Sequence, residues 1–187
     1  MPDAAFSGRV AALDDIFRTR HPLFKDSVTR AATTLGHTWV VECERTLGLL
    51  FPDDERLAAA TNGYVSFAID LLRRQRQFDR DRRYAHKTYD QAKAEVYLDA
   101  AYMEGQYLPG LLLSHYLWPH HWRQATFFQS ALIASMLHAP HPRFAEVGSG
   151  TGLYSRLVLD AVPDATGVGY DISPASARFA SAHVAAF

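Results

Sequence analysis

From residue 1 to about 138, apolar positions recur at helical spacing, and no stretch alternates convincingly as a strand would. Residues 53–77, DDERLAAATNGYVSFAIDLLRRQRQ, open with acids at the positive end of a helix, directly after Pro52. Leu57, Tyr64, Phe67, Ala68, Leu71 and Leu72 then give one apolar face. Residues 88–104 repeat the theme with Val96, Tyr97, Ala100 and Met103. Residues 121–138, HWRQATFFQSALIASMLH, are apolar nearly all round, which predicts a helix buried between layers. Earlier helices are expected over residues 8–18 and 23–50.

The pattern changes at HAPHPRF, where Pro140 and Pro142 disfavour a continuing helix and mark a boundary. FAEV follows as a short extended segment, then a glycine loop, a helix over GLYSRLVLDAV and a second strand over ATGVGYDI. Ser173 with Pro174 has the form of an N-cap followed by proline at the first helical position, opening a last helix, PASARFASAHVAAF. Strand, helix, strand, helix in this order begins a doubly wound α/β domain. The expected fold class is therefore α/β: a helical, substrate-side cap over residues 1–140, then the start of a Rossmann-like sheet over 141–187.

Composition narrows the setting. Hydrophobic residues at 48% and charged residues at 21% suit a soluble globular chain, and a net charge of −1 argues against a global attraction to nucleic acid or anionic membrane. Cys43, the single cysteine, excludes an intramolecular disulfide and reads as a buried helical thiol. MPDAAFSGRV lacks a basic and apolar leader, and no apolar run approaches the ~20 residues that span a bilayer. These features predict a cytoplasmic protein. The one charge run, RRQRQFDRDRR over 73–83, reads as a solvated helix end rather than a phosphate-binding patch, with Asp79 and Asp81 neutralising part of it.

A strand–glycine loop–helix unit holds ligands because small residues admit close backbone approach and the helix N-terminus offers unpaired N–H groups. Gly148, Gly150 and Gly152 are spaced G-x-G-x-G, not the G-x-G-x-x-G of dinucleotide binders, and no P-loop lysine follows. Glu146, two residues before the first glycine, suits a ligand with a cationic group better than a pyrophosphate.

Glu146-Val147-Gly148-Ser149-Gly150-Thr151-Gly152 resembles the first motif of class I S-adenosylmethionine-dependent methyltransferases. Gly169-Tyr170-Asp171-Ile172 matches the place where that family sets an acid for the ribose hydroxyls. The resemblance closely covers residues 143–187 only. It implies S-adenosylmethionine as cofactor, with the loop (Gly148, Ser149, Gly150, Gly152) approaching its methionine and ribose portions. It further implies that Glu146 organises the methionine end, that Asp171 accepts from the ribose diol, and that Ile172 packs on adenine. Tight-turn roles for the glycines and Asp171, a water-facing Glu146 and a core Ile172 remain the plainer alternatives.

In many members of that superfamily, helices before the first motif cover the cofactor and shape the substrate pocket. Residues 97–128 have a fitting composition, with Tyr97, Tyr102, Tyr107, Tyr116, Trp118 and Trp122. Aromatic faces stabilise cations and line apolar pockets, although at helical spacing they also build plain core. Tyr107 is singled out because it precedes the Pro109-Gly110 break. His115, His120 and His121 are candidates for a general base, with structural roles as the alternative. A metal site is not expected, since adjacent His120 and His121 point apart in a regular element.

The leading reading is the N-terminal part of a methyltransferase acting in line on the oxygen or nitrogen of a small organic molecule. The alternative is a non-catalytic, methyltransferase-like binding or assembly subunit. A nicotinamide-dependent oxidoreductase is disfavoured by the loop spacing. The family's sheet has about seven strands, against two foreseen here. Residues 1–187 alone are thus not expected to be a competent enzyme. Either they belong to a chain of roughly 280–350 residues, or another polypeptide completes the sheet; a homodimer is the other expected assembly.

Overall fold

The computed structural model describes residues 6–84 and 88–187. Residues 1–5, part of the segment inspected for a leader, lie outside them. The described protein is mostly helical, with a small two-stranded parallel sheet near the C-terminus. None of its described helices is long and apolar enough to cross a membrane.

Helix α1 (Gly8–Arg20) is followed by a 3-10 turn (Pro22–Phe24), then α2 (Ser27–Leu35) and α3 (His37–Leu50). The single helix expected over 23–50 is therefore three segments. Gly36, at φ 81°, ends α2 while its N–H still reaches the Ala32 carbonyl, and the chain turns there. Helix α4 (Asp54–Asp81) starts as the sequence predicts: the Asp53 carboxylate accepts the Arg56 N–H at 2.8 Å. Leu57, Tyr64, Phe67 and Ala68 are buried, but Leu71 and Leu72 are exposed, because burial of α4 ends at Ala68. Beyond them the 73–83 run is the exposed end of this helix, with ion pairs Arg74–Asp70 and Arg80–Asp81, each at 2.8 Å.

The main core joins α1, α3, α4 and α7 (Leu108–Leu117) through Leu13, Phe17, Leu47, Leu57 and Leu112. Polar tips inside it are paired. Trp39 Nε1–H donates to the Tyr116 carbonyl at 2.5 Å, the Tyr116 hydroxyl meets Thr46 Oγ1 at 2.6 Å, and Trp118 Nε1–H donates to the Tyr64 hydroxyl at 2.9 Å. Cys43 is fully buried in α3, and burial pushes its thiol pKa upward, as an inert core thiol requires.

Residues 88–104 are not one helix. Helix α5 (Tyr89–Ala92) widens into a π turn (Lys93–Tyr97) and breaks at Leu98, and Asp99 caps α6 (Ala100–Tyr102) by accepting the Tyr102 N–H at 3.0 Å. The break resets the helical phase, so Met103 is buried while Ala100 faces outward. A second π turn (Met103–Tyr107) runs directly into α7. Pro109-Gly110 is therefore no break. Proline has no N–H and crowds the carbonyl four residues back, and here the wider turn precedes it, with Leu108 N–H reaching Met103 O.

Helix α8 (Pro119–Phe128), a π turn (Gln129–Ile133) and α9 (Ala134–Met136) overturn the expectation of a helix buried between layers. Ala125, Ile133 and Met136 are buried on one side, whereas Phe127 is 71% exposed and Leu132 and Leu137 also face outward. Among the described residues, only one layer covers this helix. Its buried side belongs to a second core with Leu153, Leu157 and Val158.

The remaining elements are β1 (Arg143–Val147), α10 (Leu153–Ala161), β2 (Thr166–Tyr170) and α11 (Pro174–Val184). The strands pair in parallel, from Arg143 opposite Thr166 to Val147 opposite Tyr170. Ser173 caps α11 with Pro174 in its first turn. Val147 is 85% exposed, and Val168 and Tyr170 are exposed as well. Ion pairs Arg45–Asp160 (2.5 Å), Arg156–Glu42 (3.0 Å) and Arg178–Glu104 (2.5 Å) tie this segment to the preceding helices.

Candidate functional site

The glycine loop is fastened at both ends. Gly148 N–H and Ser149 N–H donate to the Tyr170 carbonyl at 2.7 and 3.1 Å, and Gly152 N–H donates to Ser149 O at 2.7 Å. Gly148, Gly150 and Gly152 have φ of 72°, 51° and 69°, a conformation that side chains other than glycine's resist. Their surroundings differ. A β-carbon at Gly152 would lie 2.8 Å from Ala180 Cβ, so this glycine lets α11 pack on the loop. A β-carbon at Gly148 would meet nothing within 4 Å; that side of the loop is open.

Asp171 locks the loop to β2. Its Oδ2 accepts the Gly150 N–H and its Oδ1 accepts the Ser173 N–H, both at 2.8 Å. The turn role left open by the sequence is thus real, and each carboxylate oxygen keeps a further lone pair for a ligand. Ile172 is exposed beside it, which removes the core reading for this residue. Glu146 is half-buried and accepts from the Ser155 N–H at 3.1 Å and from the Ser155 hydroxyl. Burial raises its pKa, against these hydrogen bonds and with the help of the nearby Asp171 charge.

A cleft of about 270 Å³ opens over the loop. Glu146, Gly148, Ser149, Gly150, Thr151 and Tyr154 form its floor, and Leu111, His115, His121 and Gln124 approach from α7 and α8. Two of the three candidate histidines therefore meet the glycine loop. His115 Nδ1 lies 2.9 Å from the Leu111 carbonyl and must donate there. The Ser114 hydroxyl donates to the same carbonyl at 2.6 Å, so His121 Nδ1, 2.9 Å from Ser114 Oγ, is the donor in that pair. Both rings thus carry the Nδ1 proton and leave Nε2 as an acceptor. Burial lowers the pKa of His115, and burial with the His115 and His120 charges pushes that of His121 down to about 4. Both are neutral near pH 7.

His120 is exposed and does not line the cleft; its ring stacks on Trp118 and meets His121 edge-on at 4.4 Å between centroids. Among the described residues, no three His, Cys, Asp or Glu side chains converge to hold a metal. Tyr107 also stands outside this cleft. It packs edge-on against Phe67 at 5.8 Å and lies 6.2 Å from the Tyr102 ring, where burial, Tyr97, Tyr102 and then Asp171 raise its pKa. It therefore marks the Asp171 end of the loop rather than the histidine end. Tyr116, Trp118 and Trp122 belong to the main core, which leaves Tyr97 and Tyr102 beside Met103 and the start of α11.

Leu111, Gln124 and Tyr154 are residues of this cleft that the sequence reading missed. Tyr154 had a signal, since it falls in the first turn after the loop. Gln124 and Leu111 had none. No known protein family, curated protein or solved structure matches this chain.

Proposed function

We propose that the chain forms the cofactor-binding end of an S-adenosylmethionine-dependent methyltransferase acting on a small organic acceptor. One observation carries this reading: three left-handed glycines bridge β1 and α10, with Glu146 on one side and Asp171 fastened to the central glycine from the other. A partly buried carboxylate at the strand end suits a cationic amino or sulfonium group. The open side of Gly148 and the spare lone pairs of Asp171 suit close backbone approach and a hydroxyl pair. When bound, the cofactor supplies an electrophilic methyl group whose carbon–sulfur bond breaks with its electrons left on sulfur. The chain's part is to orient the acceptor and to take its proton. Nε2 of His115, left unprotonated by the neutral Nδ1–H tautomer, is the acceptor for that proton, and His121, held to a pKa of about 4, is the weaker base of the two.

A companion reading is favoured by the exposed faces of β1 and β2: further strands, from a longer chain or a second polypeptide, cover this sheet. Methyl transfer is then expected only of the completed unit. An assembly role without catalysis rests on the same faces. Calorimetric titration with S-adenosylmethionine, S-adenosylhomocysteine and NAD tests the cofactor assignment. The two adenosyl ligands should bind and NAD should not. Binding of NAD alone would replace the methyltransferase reading with an oxidoreductase one.

A further inference from the structure

A second cavity, of about 340 Å³, is lined by residues of α2, α3, α7, α8 and α10. His115 stands in the wall it shares with the glycine-loop cleft. Leu35, Trp122 and Leu157 give this cavity apolar surface, and Glu42 and Arg156 give it charge. Arg156 is only 1% exposed, fixed in the first turn of α10, where its N–H donates to the Gly152 carbonyl at 2.9 Å. Its Nη2 pairs with Glu42 Oε2 at 3.0 Å, while Nε and Nη1 have no hydrogen-bond partner among the described residues. Native proteins rarely leave such donors unpaired, and a guanidinium is the side chain best shaped to receive a carboxylate.

The neighbouring groups do not compete for it. The Tyr116 hydroxyl is committed to Thr46 and kept neutral by burial, with a pKa of about 12. Asp160 is held by Arg45, and His183 is a buried neutral ring. Among the described residues, Glu42 is the one direct counter-charge, and a quarter of its side chain is in solvent, which screens it. A pocket of this size and lining takes a ring-sized apolar body with one polar end.

We propose that this cavity binds an organic acid with an aromatic or similarly compact apolar body, its carboxylate on Arg156 and its body toward the wall that holds His115. Acid binding stands on this cavity alone; that the acid is the methyl acceptor rests on the proposed function.

The test is calorimetric titration of the chain, without adenosyl ligand, with benzoate, 4-hydroxybenzoate and 2-naphthoate, and with the matching neutral amides. At least one acid should bind, at least tenfold more tightly than its amide. Arg156→Lys should weaken that acid at least tenfold, because an ammonium cannot reproduce the planar donor set. Thr126→Trp, which fills the cavity wall and leaves Arg156 in place, should do the same. Equal binding of acid and amide, acid affinity unchanged in both variants, or no saturable binding of any acid would overturn the proposal. Titrating S-adenosylmethionine separately keeps the two readings apart. Acid binding without cofactor binding upholds the cavity assignment and removes the methyltransferase reading, and the reverse outcome does the opposite.

Discussion

Replacing Gly148 and Gly152 by alanine, one at a time, separates what the loop does for the fold from what it does for a ligand. Both residues sit at positive φ, 72° and 69°, so each substitution incurs the left-handed penalty of about 1–2 kcal/mol. At Gly148 nothing further is met within 4 Å, and the cost ends there. At Gly152 the new methyl would lie 2.8 Å from Ala180 Cβ and 2.9 Å from its Cα, backbone that cannot swing aside. Overpacking of this kind adds about 1–3 kcal/mol. Urea unfolding measures the difference. With a denaturant slope of about 2 kcal/mol per molar, the two midpoints should separate by roughly 0.5–1.5 M, Gly152→Ala being the less stable. Cofactor affinity should rank the other way among folded samples. Gly148→Ala keeps its fold but sets a methyl on the open side of the loop, and S-adenosylmethionine should bind it at least tenfold more weakly than the parent. Equal midpoints would refute the helix-packing role of Gly152. A Gly148→Ala protein with parental affinity would refute the close approach of the ligand to the loop.

Asp171→Ala should weaken adenosyl-ligand binding by about 1–3 kcal/mol, and calorimetry on samples with an intact circular-dichroism spectrum checks it. Tyr107→Ala should change substrate turnover by the completed enzyme more than it changes the melting temperature; a large melting shift with unchanged kinetics would make Tyr107 a core residue. Acid should destabilise the fold through His183, which is fully buried, donates from Nδ1 to the Thr151 carbonyl and is held to a pKa of about 4, chiefly by burial. In the unfolded chain this imidazole takes up a proton near 6.5, so between pH 6.5 and 4 the unfolded state binds more protons. Stability is therefore full above pH 6.5 and falls by about 3 kcal/mol toward pH 4. His183→Asn, whose amide can still donate to Thr151, should flatten that slope in urea titrations at several pH values.

The C-terminal segment was legible because its punctuation is local. Pro140, Pro142, the alternating glycines and Ser173-Pro174 each constrain the backbone where they stand, and β1, α10, β2 and α11 follow within a few residues. The helical part was legible as helices but not in its joints. Gly36 is a local signal of a helix end, whereas the π turns at Lys93–Tyr97, Met103–Tyr107 and Gln129–Ile133 answer to tertiary packing that no window of sequence contains. The exposure of Phe127 was illegible for the same reason: an all-round apolar helix signals two covering layers, and the fold supplies one. At the site, the tight loop follows from the glycine spacing, whereas Asp171 is marked only by the resemblance of Gly169-Tyr170-Asp171-Ile172. That His115 and His121 reach over the loop and His120 does not depends on how α7 and α8 cross it. The burial of Arg156 ran against its residue type, since arginine ordinarily marks the solvent face of a helix.

Amide hydrogen exchange, followed by mass spectrometry with and without saturating S-adenosylmethionine, tests the central claim most directly. The glycine loop and Asp171 are assigned to the ligand, so peptides covering 147–153 and 170–173 should slow in exchange while those covering α4 stay unchanged. Binding without protection of either segment, or protection confined to other parts of the chain, would contradict the assignment.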